Sequence, residues 1–156
     1  RNTMEIASYA NSISDVSDME LFERHGKPVE EQTFSDRKAA LEAVLEKLRL
    51  EEFETAAVIE MTQERAKKSA AYLKERMEEL GMDTENRFSV VDRDSTRFKK
   101  GLTVTTFYLA KGLEFDQVFA IYTMQDNTPL HRQARYICAT RALHELYMYE
   151  VKASQD

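Results

Sequence analysis

A polar segment between two apolar runs constrains the fold of this chain more than any other feature. The segment covers residues 106–116, and the runs cover residues 102–105 and 118–122. Short apolar runs are typical of buried strands, and the segment between them contains a single glycine, Gly112. We therefore expect a loop at the edge of a sheet, where α/β proteins commonly bind their ligands. The residues alone predict a ligand loop without naming the ligand.

The charged residues of this segment indicate what such a loop offers. Lys111 places a cation beside Gly112, and glycine allows a backbone to approach an anion closely. Glu114 and Asp116 flank Phe115, so two carboxylates are anchored beside an aromatic side chain.

Strand-like and helix-like patterns alternate along the rest of the chain. Strands are predicted at residues 29–34, 55–59, 88–91, 102–106, 117–122 and 146–149. Helices are predicted at residues 5–13, 35–48, 62–80 and 130–142, with Thr62 as an N-cap and Gly81 just past a C-terminus. This alternation predicts an α/β domain with a mainly parallel sheet.

Composition fits one globular domain. The chain has 156 residues, of which 42% are apolar and 32% charged, and no apolar run approaches the ~20 residues of a membrane helix. Cys138 is the single cysteine, which excludes an internal disulfide and suits a reducing cytoplasm. The net charge of −6 argues against a dedicated nucleic-acid-binding module but allows one nucleic-acid-facing edge. We expect a domain over residues 1–151 and a polar tail over residues 152–156.

Two kinds of site have no sequence signal. The chain contains no G-x-x-x-x-G-K-[ST] phosphate loop, so it is not expected to hold ATP and Mg²⁺ by itself. His25, His131 and His144 are scattered without metal-ligand spacing, so no metal site is expected.

Three stretches resemble motifs of superfamily 1 helicases of the UvrD/Rep/PcrA type. Residues 110–116, A-K-G-L-E-F-D, with Thr106 four positions earlier, resemble motif V. Residues 135–142, R-Y-I-C-A-T-R-A, followed by Leu146 and Tyr147, resemble motif VI. Arg1, before a predicted helix, resembles the end of motif IV. UvrD, Rep and PcrA carry an inserted accessory domain in this region, and the short connection at residues 92–100 leaves no room for it. The chain is therefore more similar to relatives without that insertion, including the HelD-like branch.

The resemblance implies a three-layer RecA-like domain over nearly the whole chain, the second motor domain of an ATP-dependent DNA helicase or translocase. The chain would be a fragment of a longer protein whose N-terminal motor domain holds most of the ATP and Mg²⁺. Arg141 would be the arginine finger with Arg1 as its partner, Glu114 would accept a hydrogen bond from the ribose, and Gly112 would adjoin the nucleotide. From the residues alone, an ion pair of Arg141 with Glu114 or Asp116 is the favoured interpretation.

The same resemblance implies contacts with single-stranded DNA from Thr106, Tyr108 and Lys111. Tyr108 stands where UvrD-type helicases usually have a histidine; a tyrosine there either stacks on a base or packs at a strand end. By itself the chain is expected to hydrolyse no ATP at a useful rate. The rival hypothesis is a binding module without motor activity that acts on a protein such as RNA polymerase. A weaker one is a subunit of a recombination nuclease.

Overall fold

The computed structural model describes residues 2–14, 27–50, 53–92 and 100–152. Within these ranges the strands are β1 Glu30–Phe34, β2 Thr55–Glu60, β3 Phe88–Val90, β4 Gly101–Thr106, β5 Phe115–Thr123 and β6 Ala142–Val151. The helices are α1 Met4–Ser14, α2 Arg37–Leu50, α3 Gln63–Glu79, α4 Thr84–Arg87 and α5 Pro129–Thr140. Every predicted strand and helix is confirmed as an element, and the short α4 is an addition.

The described strands form one sheet in the order β1-β6-β5-β2-β4-β3, and every pairing in it is parallel. The predicted α/β fold with a parallel sheet is therefore confirmed. Because the strands run the same way, they all start at one edge of the sheet and end at the other. These are called the amino edge and the carboxyl edge below.

Both faces of the sheet are covered. Along β2, Ala56 and Val58 pack into a core with α2 and α3, whereas Ala57 and Ile59 pack into a second core with α1 and α5. This arrangement explains why the β2 run is apolar without alternation, since a strand between two helical layers buries side chains on both sides. The domain has three layers, as expected.

The ends of α3 follow from local signals. The Thr62 side chain accepts a hydrogen bond from the backbone N–H of Arg65, and Leu80 is the C-cap. Gly81 follows with a φ of 75°, the left-handed conformation that glycine adopts without a steric penalty. Leu73 in the middle of the inner stripe is fully buried, which contributes about 1.5–3 kcal/mol.

Three predicted boundaries are wrong near the central segment. Helix α5 ends at Thr140, so Arg141 is its C-cap rather than a helical residue. Strands β5 and β6 begin earlier than predicted, because Phe115 pairs with Ala142 and donates its N–H to the Arg141 carbonyl at 2.8 Å. Phe115 and Asp116 are therefore strand residues.

The segment expected to be a loop at one edge instead connects the two edges. It leaves β4 at the carboxyl edge and reaches β5 at the amino edge, so residues 107–114 cross one face of the sheet. Ala110 is fully buried there in the core that α1 and α5 share. Gly112 has a φ of 84°, and a Cβ on it would meet nothing within 4 Å, so the backbone turn is what requires glycine.

The domain limits at residues 151 and 152 stay a prediction, and Arg1 and residues 153–156 lie outside the described residues. In the part of the chain that the structure describes, no helix is long and apolar enough to cross a membrane.

Candidate functional site

The amino edge brings together two of the predicted nucleotide contacts. Glu114 is exposed and directly precedes β5, and Arg141 directly precedes β6. The hydrogen bond from Phe115 N–H to the Arg141 carbonyl joins the two strand starts at 2.8 Å. Gly112 is exposed two positions before Glu114. The residues of the two motif-like stretches that were assigned to the nucleotide are thus neighbours.

The Arg141 guanidinium is hydrogen-bonded to a neutral group. Its Nε and Nη2 donate to Thr140 Oγ1 at 3.3 and 3.2 Å, and that hydroxyl donates to the Ile137 carbonyl at 2.7 Å. Among the described residues, neither Glu114 nor Asp116 forms an ion pair with Arg141. The structure therefore does not form the ion pair that was the alternative, and no carboxylate of the described chain neutralises this charge by direct contact.

Asn2, the residue after Arg1, is hydrogen-bonded to the backbone on both sides of Arg141. The Asn2 side-chain amide donates to the Ala142 carbonyl and, at 3.3 Å, to the Thr140 carbonyl. Thr3 then accepts the N–H of Ile6 at 3.3 Å and caps α1. Arg1 lies outside the described residues, so its partnership with Arg141 stays a prediction.

The predicted DNA contacts start at the other edge. Thr106 ends β4, is 1% exposed, and its hydroxyl has no hydrogen-bond partner among the described residues. Tyr108 is 37% exposed, and its hydroxyl donates to Gln63 Oε1 at 3.4 Å, at the start of α3. Lys111 is exposed midway along the connection. Tyr108 and Lys111 therefore lie on a connection that crosses the α1–α5 face, whereas the side chain of Thr106 is closed off from solvent on the opposite face.

A buried ion pair beside Thr106 was not predicted. Arg37 Nη1 lies 2.6 Å from each carboxylate oxygen of Glu60, and Ser69 also donates to this carboxylate. Burial raises the pKa of Glu60, and Arg37 opposes that shift. Because Glu60 pairs in register with Thr106, both side chains lie on the α2–α3 face. The available signal was a glutamate that follows an apolar run two residues before the helix cap Thr62, although nothing local identifies its partner.

Asp126 joins the turn after β5 to helix α3 at the carboxyl edge, and this role was also missed. Its Oδ2 accepts from the Thr123 N–H and from Arg65 Nη1, both at 2.8 Å. Its Oδ1 lies 3.4 Å from His131 Nε2. The contacts tie the β5–α5 turn to α3. In the described ranges no group of three or more His, Cys, Asp or Glu residues is arranged to hold a metal ion.

Cys138 offers no thiol chemistry. It is fully buried, and burial raises the pKa of its thiol to about 12. The reactive thiolate form is therefore scarce near neutral pH.

Comparisons with known proteins show what part of this chain is similar to a described family. Residues 101–149 match the family profile described as the UvrD-like helicase C-terminal domain. The two motif-like stretches at residues 106–116 and 135–147 lie inside the match. The recognition of a UvrD-like helicase C-terminal domain is thus confirmed over this part of the chain.

Solved structures share the fold, and one of them does so over almost the whole chain. It is described as the C-terminal domain of a possible DNA helicase from Lactobacillus strain WCFS1, with a TM-score of 0.73 and 24% identity. The alignment covers 98% of this chain and 88% of that one. No curated protein matches the sequence. Neither the family description nor this structure's description names RNA polymerase or a nuclease.

Proposed function

We propose that this chain is the C-terminal motor domain of an ATP-dependent DNA helicase or translocase. The observation that carries the proposal is the bond between Phe115 and Arg141, inside the matched residues 101–149. It sets Glu114 and Arg141 side by side at the amino edge. In this proposal the edge faces ATP held mainly by the N-terminal motor domain of the same protein.

Arg141 acts as the arginine finger. When bound, ATP supplies a γ-phosphoryl group whose negative charge spreads over its oxygens as it is transferred. A planar guanidinium stays charged and binds two such oxygens, and the neutral Thr140 partner leaves the Arg141 charge to be matched by phosphate. Arg1 supplies a second guanidinium, on the chain that Asn2 attaches beside Arg141.

Glu114 and Gly112 bind the nucleotide on its sugar side. Glu114 is exposed and accepts a hydrogen bond from a ribose hydroxyl. Gly112 has open space where a side chain would stand, which permits close approach of the backbone. The described residues fit the phosphate and ribose of ATP. They offer no metal cluster for Mg²⁺, and in this proposal its ligands belong to the other motor domain.

Single-stranded DNA binds along Thr106, Tyr108 and Lys111. Phosphate contacts give affinity without sequence preference, and a tyrosine ring stacks on any base. Lys111 and Tyr108 are exposed and carry most of this contact, whereas the buried Thr106 supports the start of the connection. Residues 107–114 run between the two edges, so the DNA-facing and nucleotide-facing residues share one short segment.

The test is the ATPase activity of the intact protein with and without single-stranded DNA, for wild type and Arg141→Ala. We expect a loss of turnover of about 10³-fold or more in Arg141→Ala, because an arginine finger contributes on that scale. ATP binding is largely kept. Arg49→Ala is the matched control, since Arg49 is an exposed arginine at the end of α2 on the opposite face.

The outcomes separate the parts of the proposal. A wild-type protein without DNA-stimulated turnover would contradict the motor function and favour the binding module. Turnover that Arg141→Ala leaves unchanged would remove the role of Arg141 and leave the domain assignment standing.

A further inference from the structure

A β-bulge lies between the two nucleotide-facing strand starts. Phe115 pairs with Ala142 and Gln117 pairs with Glu145, so Asp116 alone on β5 faces both Leu143 and His144 on β6. Bulges place an extra residue in one strand, interrupt the regular ladder and re-aim side chains, often beside functional sites. This bulge begins two residues after Arg141.

Asp116 is fastened to the start of β2 in both directions. Its backbone N–H donates to Thr55 Oγ1 at 2.9 Å, and its Oδ2 accepts the backbone N–H of Thr55 at 3.1 Å. Two backbone amides at strand starts are therefore satisfied reciprocally by side chains, which is the pairing that partly buried amides require.

His144 closes the arrangement from β6. Its Nε2 lies 3.5 Å from Asp116 Oδ1, and its ring stacks on Phe53 with centroids 5.5 Å apart and planes at 12°. Phe53 lies just before β2. His144, in the bulge of β6, is therefore held between the Phe53 ring and the Asp116 carboxylate. These contacts join the starts of β2, β5 and β6.

We propose that Thr55, Asp116 and His144 form an amino-edge lock that positions Glu114 and Arg141 relative to each other. Asp116 lies two residues after Glu114, and His144 lies three after Arg141. A bulge interrupts the backbone hydrogen bonds between neighbouring strands, so the start of a bulged strand is held by fewer of them. The side-chain contacts of the lock hold it instead. Its residues are positioning residues that do not touch the nucleotide. The consequence for catalysis rests on the proposed function, whereas the lock itself does not.

Amide hydrogen exchange of the 156-residue chain tests the lock without any ligand. In Asp116→Ala the amides of Thr55 and Phe115 lose their local protection, and we expect exchange about tenfold faster or more. The amide of Phe119, deeper in β5, is the internal reference for global stability. Asp36→Ala is the matched control, since Asp36 lies after the end of β1 at the carboxyl edge and also accepts a backbone N–H, that of Ala39, at 2.8 Å.

Two further variants keep this test decisive if Asp116→Ala folds poorly. His144→Ala removes the β6 contact and leaves the Thr55 pair, so the Phe115 amide should gain exchange rate while the Thr55 amide changes less. Asp116→Asn retains an acceptor for Thr55 N–H and should preserve more protection than Asp116→Ala. A Phe115 amide that exchanges at the wild-type rate in Asp116→Ala and His144→Ala would overturn the lock.

The second arm tests positioning in the intact protein, with kcat and KM measured for ATP and for 2′,3′-dideoxyATP. If the lock sets Glu114 against Arg141, Asp116→Ala lowers kcat for ATP about tenfold and reduces the preference for ATP over the dideoxy analogue, because small misplacements cost rate steeply. Glu114→Gln reduces the same preference. In the double variant Asp116→Ala with Glu114→Gln, the preference for ATP should fall by less than the product of the two separate reductions.

These results separate the two proposals. Faster exchange with an unchanged nucleotide preference would overturn the positioning role. An inactive wild-type protein would overturn the proposed function, and the exchange data would still decide whether the lock exists.

Discussion

Arg37 and Glu60 form a buried ion pair in which one guanidinium nitrogen lies 2.6 Å from both carboxylate oxygens. Arg37 begins α2 and Glu60 ends β2, and their side chains are 7% and 0% exposed. The pair fixes α2 to the carboxyl edge beside Thr106, the predicted DNA contact that starts the central connection. Glu60 also accepts the backbone N–H of Phe107 at 3.2 Å through its carbonyl, so the connection begins on a rigid base.

Removing one member of this pair should destabilise the domain strongly. Glu60→Leu or Arg37→Met leaves the other member as an uncompensated buried charge, and we expect a loss of about 3–5 kcal/mol in the free energy of unfolding. Urea unfolding measures this as a lower midpoint with an unchanged slope. The double variant Arg37→Met with Glu60→Leu should lose less than either single change. A double variant that loses the sum of the two would show that the charges act independently.

Two glycines with positive φ should respond differently to alanine. Gly81 has a φ of 75° and open space where a Cβ would stand, so Gly81→Ala should cost about 1–2 kcal/mol from the left-handed backbone alone. Gly101 has a φ of 96°, and a Cβ there would lie 2.1 Å from the carbonyl oxygen of Arg87. Because a backbone atom cannot move aside as a side chain does, Gly101→Ala should cost clearly more. Equal losses in thermal or urea unfolding would contradict the close approach.

The pH dependence of stability should reveal the Glu42 contacts between α2 and α3. Arg76 donates to Glu42 from Nε at 2.8 Å and from Nη2 at 3.2 Å, and Tyr72 donates at 2.6 Å. The hydrogen bonds from Arg76 and then Tyr72 lower the pKa of Glu42 below its ordinary value of 4.5. A lowered folded-state pKa gives stability that is present above the unfolded-state pKa and is lost as pH falls through the folded-state pKa.

Glu42→Gln should therefore be less stable than wild type at pH 7, and the difference should shrink as pH falls below 4.5. The Glu42 side chain is 42% exposed, so added salt should shrink the difference as well. Glu46→Gln, on the exposed side of α2, is the matched control. A difference in melting temperature that persists unchanged at low pH would show that lost packing, not charge, is responsible.

The parts of the fold that local sequence specifies were predictable. Helix α3 begins and ends at its predicted signals because Thr62 and Gly81 act within one turn of their own positions. Strand β6 was placed too late, because His144 and Glu145 interrupt its apolar pattern. The structure accommodates Glu145 through a hydrogen bond from Gln117 Nε2 at 3.0 Å, a cross-strand contact that no local pattern shows.

The roles of the candidate site residues stay predictions, and the way they are arranged in space was not predictable from the sequence. The resemblance placed Glu114 and Arg141 at the nucleotide, and the strand order then makes them neighbours through β5 and β6. The bulge opposite Asp116 depends on the pairing register of strands that are distant in sequence. The path of residues 107–114 was unpredictable for the same reason. Whether a connection between two strands crosses the sheet depends on the direction and position of both strands, which the local sequence does not show.

Tyr108 should contribute to DNA binding through its ring. Tyr108→Phe keeps a stacking surface and loses the hydroxyl bond to Gln63, whereas Tyr108→Ala loses both. We expect Tyr108→Ala to weaken binding of the intact protein to an oligo(dT) strand by about 1–3 kcal/mol, with Tyr108→Phe close to wild type. Fluorescence anisotropy measures both affinities. Equal losses in the two variants would assign the contribution to the hydroxyl instead.

Lys111 should contribute to DNA binding through its charge. Lys111→Ala removes one phosphate contact, so affinity for single strands should fall equally for different sequences, and the slope of log affinity against log salt should decrease by about 0.7. Lys74→Ala is the matched control, because Lys74 is an exposed lysine on α3, across the sheet from the connection that carries Lys111. Anisotropy titrations at several salt concentrations give both slopes. If the two variants change the slope alike, the lysine charge acts through the overall field of the domain, and residues 107–114 do not line the DNA path.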